Sequence, residues 1–222
     1  MDINRIIGLF MMKYLAGNRK VEVIKGKKHI ACIGDSITFG AGVKGKKEET
    51  WEYHLNEIIG DEYQVLNYGT NGRTLLSTGD YPYTADKLYQ RSLECKADIY
   101  LIMLGSNDAK PHNWNTDKFE KEYDEFVRKY RELDNKPQVI LMIPPHCFPD
   151  KETGIVGFDI DASIIDKYVV KIVRETAKRY DLQTIDLYSF SEGHDEWFVD
   201  GVHPNKTGNQ KIAEYISSQL KL

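Results

Sequence analysis

Cysteine is scarce in this 222-residue chain: Cys32, Cys95 and Cys147 are an odd number, widely spaced and without a CxxC pair. That excludes a disulfide framework and offers no thiolate metal site, so a reducing, cytoplasmic setting is expected, with secretion left open. A basic excess is missing too. Thirty Lys and Arg stand against 34 Asp and Glu, for a formal charge of −4, so nothing marks a nucleic-acid groove or an anionic membrane surface. No apolar run approaches the roughly 18 residues of a membrane span. The run Ile6-Ile7-Gly8-Leu9-Phe10-Met11-Met12 follows Arg5 as the core of a signal peptide would. Lys13 ends it, Asp2 sits where a basic region belongs, and no small-x-small cleavage site follows. It reads instead as a short docking helix in an N-terminal extension, residues 1–28, ahead of one domain at residues 29–222. Proline (7) and glycine (17) are too few for a disordered or collagen-like chain, and 41% hydrophobic residues are enough for a sizeable core.

What is present is an alternation. Short apolar runs at His29–Ile33, Tyr63–Asn67, Ile99–Leu104, Val139–Ile143 and Leu182–Ile185 each end in a Gly, Pro, Asn or Asp cluster, as strands buried on both faces do. Helical periodicity is clearest over Asp117–Leu133, over Ser163–Tyr180 and from about Thr207 to Leu220. In the second of these Ile165, Tyr168, Val169, Ile172, Val173 and Ala177 fall on one stripe. Five βα units predict an α/β fold: a three-layer α/β/α sandwich around a five-stranded, mostly parallel sheet, flavodoxin-like in plan. In such a sheet ligands bind at the carboxyl ends of the strands.

Four segments at those ends carry chemistry. Gly34-Asp35-Ser36-Ile37-Thr38-Phe39-Gly40 places a hydroxyl where a strand turns into a helix; a capping serine or a phosphate loop would read the same way. Asn67-Tyr68-Gly69-Thr70-Asn71-Gly72-Arg73-Thr74 offers an unobstructed amide for an oxyanion, or a plain Asn-Gly turn. Gly105-Ser106-Asn107-Asp108 sets a side-chain amide at the cleft, or an Asx turn. Asp200-Gly201-Val202-His203-Pro204-Asn205 spaces a carboxylate and an imidazole to pair around a tight turn, ahead of the last helix.

Taken in order, these segments resemble the four sequence blocks of the SGNH hydrolase superfamily, the GDSL esterases and lipases, and the resemblance covers nearly the whole chain. The letters S, G, N and H fall on Ser36, Gly72, Asn107 and His203, and the family's Asp falls on Asp200. The resemblance implies a catalytic triad of Ser36, His203 and Asp200. It also implies an oxyanion hole made of the Ser36 and Gly72 amides and the Asn107 side chain, and no cofactor. The six histidines form no HExxH or other familiar ligand spacing, and Asp159-Ile160-Asp161 reads as a loop and helix cap, so no metal is expected.

The expected partner is a small-molecule or oligosaccharide ester. Asp35, Arg73, His112 and Trp114 are candidates for contacting it, and Tyr81-Pro82-Tyr83 adds aromatic faces near the cleft. Arg73 would read a substrate carboxylate or pair with a nearby Asp. The stretch from Gly105 to Trp114 is similar to that of bacterial sialate O-acetylesterases, which favours a short-chain carbohydrate O-acetylesterase. A lysophospholipase or thioesterase of the same fold is the alternative, and a non-catalytic module binding a phosphorylated ligand is the rival from another class. Pro144 to Ile160 is too long for a tight connection and is expected to shape the pocket.

Overall fold

Five strands form where the apolar runs lie: β1 (Lys28–Gly34), β2 (Tyr63–Asn67), β3 (Ile99–Met103), β4 (Gln138–Ile143) and β5 (Gln183–Asp186). The computed structural model describes residues 20–43 and 46–222. All neighbouring strands pair in parallel, in the order β2-β1-β3-β4-β5. The expected α/β fold and five-stranded parallel sheet are therefore observed.

The reason lies in how completely the central strands are covered. Ile30 to Ile33 and Ile140 to Ile143 have no exposed surface at all. Side chains alternate between the two faces of a strand, so burial without a break requires a helical layer on each side. At about 1.5–3 kcal/mol for each large aliphatic side chain removed from water, these runs supply much of the driving force for folding.

The helices are α1 (Ser36–Phe39), α2 (Trp51–Ile59), α3 (Lys87–Glu94), α4 (Thr116–Arg131), α5 (Ala162–Ile164), α6 (Val170–Tyr180), α7 (Leu187–Ser191) and α8 (Lys206–Gln219). In α4, Phe119, Tyr123, Phe126, Val127 and Tyr130 are buried, a 3.6-residue stripe facing the core. Asn115 caps its start by accepting from the Lys118 amide at 3.0 Å, and Arg128, Lys129 and Arg131 oppose the dipole in its last turn. Helix α2 packs on α8, and α4 contacts α6.

Between α5 and α6 the chain passes without a break through a π turn, Ile165–Val169. The extra residue in that turn corrects the expected stripe: Val169 and Val170 both turn inward, while Tyr168 is carried to the surface, 40% exposed, against Trp114. The docking helix expected around Ile6 to Met12 lies outside the described residues. Residues 20–27 contain no helix; they are tied to β2 through Gln64, which accepts from the Ile24 amide and donates to the Glu22 carbonyl.

The strand order reverses between β1 and β3, because the chain goes outward to β2 and then returns to the other side of β1. The loops leaving β1 and β3 therefore part at their carboxyl ends and open a crevice there.

Candidate active site

Ser36 is the first residue of α1, directly after β1. Asp35 caps that helix, accepting from the Ile37 amide at 2.9 Å, and so fixes the turn that lifts Ser36 to the top of the sheet. In the first turn of a helix the backbone amides have no partner within the helix, which leaves the Ser36 amide without an intrahelical acceptor.

His203 reaches the same point from the other end of the chain. Its Nε2 lies 2.8 Å from Ser36 Oγ, and its Nδ1 lies 2.7 Å from Asp200 Oδ2. A carboxylate only accepts, so Nδ1 carries the proton and Nε2 is left as the acceptor for the serine hydroxyl. The other oxygen of Asp200 accepts from the amides of His203 (2.8 Å) and Val202 (3.0 Å). Burial works against the Asp200 carboxylate, but the His203 side chain and these two amides outweigh it and hold its pKa below the ordinary range. The turn depends on Gly201, at φ 78°: a Cβ there would come within 2.1 Å of the Phe148 carbonyl oxygen, and the Gly201 carbonyl accepts from the Phe148 amide.

On the opposite side stand Gly72 and Asn107. Gly72 has φ 72°, a left-handed turn that glycine adopts without strain, and it lines the crevice. The Asn107 Nδ2 group is 3.3 Å from both Asp35 Oδ2 and the Arg73 carbonyl, two acceptors that dictate which end of the amide carries the nitrogen. Asn113 steadies the same segment by donating to the Asn107 carbonyl at 3.0 Å. Asp108, with no exposed surface, accepts from the amides of Leu75 and Leu76 and so ties the strand-end loop of β3 to the loop that carries Gly72.

Two carboxyls under the crevice are held near neutrality. Burial pushes Asp35 up to about 6, against the hydrogen bond from Ile37 and the attraction of His203. Burial pushes Asp108 up to about 7 against its two amide bonds, and the charge of Asp35 adds to the rise.

The crevice is a cavity of about 370 Å³. Ser36, Gly72, Asn107, Asp200 and His203 all line it, so the five positions expected to act together do come together. The expected substrate contacts do not. Arg73 is 5% exposed and bonded through Nε (3.0 Å) and Nη2 to Asp86; it pairs with an Asp inside the protein rather than facing a ligand. Asp35 is 1% exposed and lies beneath Ser36, committed to Ile37 and Asn107. His112 bonds to Asp80, and Trp114 packs between Phe119 and Tyr168 while donating to Thr116; neither lines the crevice. In their place stand Ala41, Asn71, Tyr81, Lys110, Phe158, Ile160 and Val202. Lys110 follows Asn107 by three residues and could have been found from that spacing; Phe158 could not, since its place depends on backbone angles. Among the described residues no group of His, Cys, Asp or Glu is arranged to hold a metal ion, and no helix is long and apolar enough to cross a membrane.

Fold and crevice together define a class, the three-layer α/β proteins with a cleft at the carboxyl ends of a parallel sheet, and comparison with known proteins gives the family. Residues 32–211 match the GDSL-like lipase/acylhydrolase family, and the chain belongs to it. It is 32% identical over 211 residues to an acetylxylan esterase of Xylanibacter ruminicola, covering 86% of this chain and 43% of that protein, so the chain spans less than half of that relative's length. Among solved structures, a carbohydrate acetylesterase of Sinorhizobium meliloti superposes with a TM-score of 0.67 at 18% identity (86% of this chain, 97% of the other). An aryl esterase of M. smegmatis gives 0.66 at 20% identity (86% and 97%). At these identities the likeness is one of fold.

Proposed function

We propose that the chain is a serine esterase that removes short acyl groups, acetyl above all, from carbohydrate esters through a Ser36-His203-Asp200 triad. One observation carries the reading: the continuous hydrogen-bond chain from Ser36 Oγ through the His203 ring to Asp200 opens into a crevice that Gly72 and Asn107 also line. His203 Nε2 takes the hydroxyl proton as Ser36 Oγ attacks the ester carbonyl, and Asp200 stabilises the imidazolium that results. The tetrahedral oxyanion is held by the Ser36 and Gly72 amides and the Asn107 side chain. The imidazolium then protonates the departing alcohol, and water repeats the cycle on the acyl-enzyme, releasing the acid and restoring Ser36.

For the substrate, the support is the acetylxylan esterase relative and the modest size of the crevice, which mixes apolar walls (Ala41, Ile160, Val202) with polar groups (Asn71, Lys110). A crevice of about 370 Å³ is at the small end for ligand sites, which suits a short acyl group better than a long lipid chain. The test is a ladder of acyl lengths, from acetyl to octanoyl, on one alcohol, run beside acetylated xylo-oligosaccharides. Activity should be highest on acetyl, fall with chain length, and be abolished in Ser36→Ala and His203→Ala. Rising activity toward octanoyl would favour the lysophospholipase or thioesterase reading. Turnover near wild type in either variant, or no labelling of Ser36 by a fluorophosphonate, would remove the triad.

A further inference from the structure

The segment from Pro144 to Asp161 ends in an unusual piece of backbone. Phe158 (φ 65°) and Asp159 (φ 59°) are consecutive non-glycine residues in the left-handed region, which an L side chain with a bulky Cβ substituent enters only against steric resistance. The surroundings hold them there. The Phe148 amide donates to the Gly201 carbonyl at one end, the Asp161 amide donates to the Ala109 carbonyl at the other, and the Ile160 amide closes back on Gly157. Strain of this kind persists when the conformation serves a purpose, and what it does here is visible. It carries the Phe158 ring to the crevice wall, with its centroid 4.9 Å from that of His203 and the two planes at 79°. The ring is not buried to gain stability, since Phe158 keeps 52% of its surface exposed.

The stereochemistry of ester cleavage says which part of a substrate would meet that ring. The carbonyl oxygen must point at Gly72 and Asn107, and the alcohol oxygen must receive its proton from His203 Nε2. The alcohol portion therefore leaves across the imidazole, on the side where Phe158 stands. We infer that Phe158 is the platform for the leaving alcohol and selects ring alcohols, a pyranose above all, whose apolar C–H face can lie on an aromatic ring while its hydroxyls stay hydrated or bonded to crevice polar groups. The inference rests on the serine-esterase reading above and names the part of the site that would recognise the acceptor.

Its test compares three acetates of increasing ring character: methyl acetate, cyclohexyl acetate and an acetylated methyl xyloside. Wild type, Phe158→Ala, Phe158→Leu and Phe158→Trp are assayed on each, and the quantity read is the ratio of kcat/KM on each ring substrate to that on methyl acetate. Phe158→Ala and Phe158→Leu should lower both ratios roughly 5- to 10-fold, mainly through KM, and Phe158→Trp should restore them. Leu keeps an apolar cover over His203 without an aromatic face. If the kcat/KM values on all three acetates fall in parallel, Phe158 merely shields the imidazole and the platform is wrong. If the ratios are unchanged while the wild type cleaves the xyloside well, the platform falls and the carbohydrate reading stands. If the wild type leaves the xyloside intact yet its preference for cyclohexyl acetate depends on Phe158, the platform stands and the carbohydrate reading falls.

Discussion

Replacing Asp35 by Asn should make the protein more stable and a worse catalyst at once, and both magnitudes follow from the structure. At pH 7 the Asp35 carboxyl must be ionised although burial has moved its pKa from the ordinary 3.8 to about 6. At about 1.36 kcal/mol per pH unit, that costs the native state about 3 kcal/mol. A raised carboxyl pKa means that the native state holds the proton more tightly than the unfolded chain does. Native stability from this group is therefore full below pH 4 and is lost as the pH rises toward 6. An Asn side chain keeps the cap on α1, because its carbonyl accepts from the Ile37 amide as Asp35 Oδ1 does. It loses the bond to Asn107 Nδ2, worth about 1 kcal/mol, and sets two amino groups against each other. The net gain at pH 7 is about 1–2 kcal/mol, or roughly 2–8 °C in Tm for a chain of this size. On the catalytic side, Asn107 must turn its nitrogen away from the amide introduced by Asp35→Asn, withdrawing a donor from the oxyanion position. The full loss of such a donor costs about 10²–10³ in kcat, so a displaced one should cost about 10–10², with KM little changed. Thermal melts of both proteins at pH 4 and pH 7, with initial rates on an acetate ester, give the answer. A stability difference that is the same at both pH values, a variant less stable at pH 7, or an unchanged kcat would each refute the reasoning.

Truncating Asn107 itself to Ala should lower kcat by about 10²–10³ at nearly constant KM, read from steady-state kinetics; a change confined to KM would mean that the amide binds ground-state substrate instead. Arg73→Met leaves the Asp86 carboxylate buried without its cation and should cost about 3–5 kcal/mol in urea denaturation. Arg73→Met with Asp86→Asn, which removes the charge and keeps the cap on the Leu88 amide, should recover at least half of that loss, and no recovery would show that the unpaired charge is not the cause. The acid limb of kcat/KM should include a loss centred near pH 6, because Asp35, raised to about 6, must be ionised to hold Asn107; Asp35→Asn should remove that step, and a wild-type profile unchanged through pH 6 would contradict the role.

The strands and the five positions that meet at the crevice were legible in the sequence because their signals are local. A continuous apolar run such as Ile140-Leu141-Met142-Ile143 announces burial on both faces, and Ser36, Gly72, Asn107 and His203 each lie close to an element whose end is marked. The substrate wall was not legible because its signals are tertiary. Arg73 looks like an anion reader until Asp86, thirteen residues on, is seen to occupy it. Trp114 looks like a sugar platform until Phe119 and Tyr168 enclose it, and Tyr168 is there only because a π turn rotates it off the core stripe. Phe158 sits in a stretch whose sequence predicts nothing but a loop, and its approach to His203 depends on two left-handed residues that no composition rule anticipates.

The three carboxyls around the crevice share a residue type and differ in task because their environments differ. Asp200 keeps three hydrogen-bond donors and some contact with solvent, so its charge is the cheapest of the three to keep. Asp35 and Asp108 are sealed from water, and the charge of the first raises the pKa of the second. As the pH falls, Asp108 takes a proton near 7, Asp35 near 6, and Asp200 last. The carboxylate bonded to the His203 ring is thus the one that acid neutralises last, while the two that hold Asn107 and the Gly72 loop are neutralised first. Acid should therefore neutralise the two carboxyls that hold the Asn107 and Gly72 side of the crevice before it neutralises Asp200. Burial and the supply of donors separate the roles: moving the charge of Asp200 out of reach of its amides, as a shift of the Gly201 turn would, should erase the distinction by raising its pKa toward those of the other two.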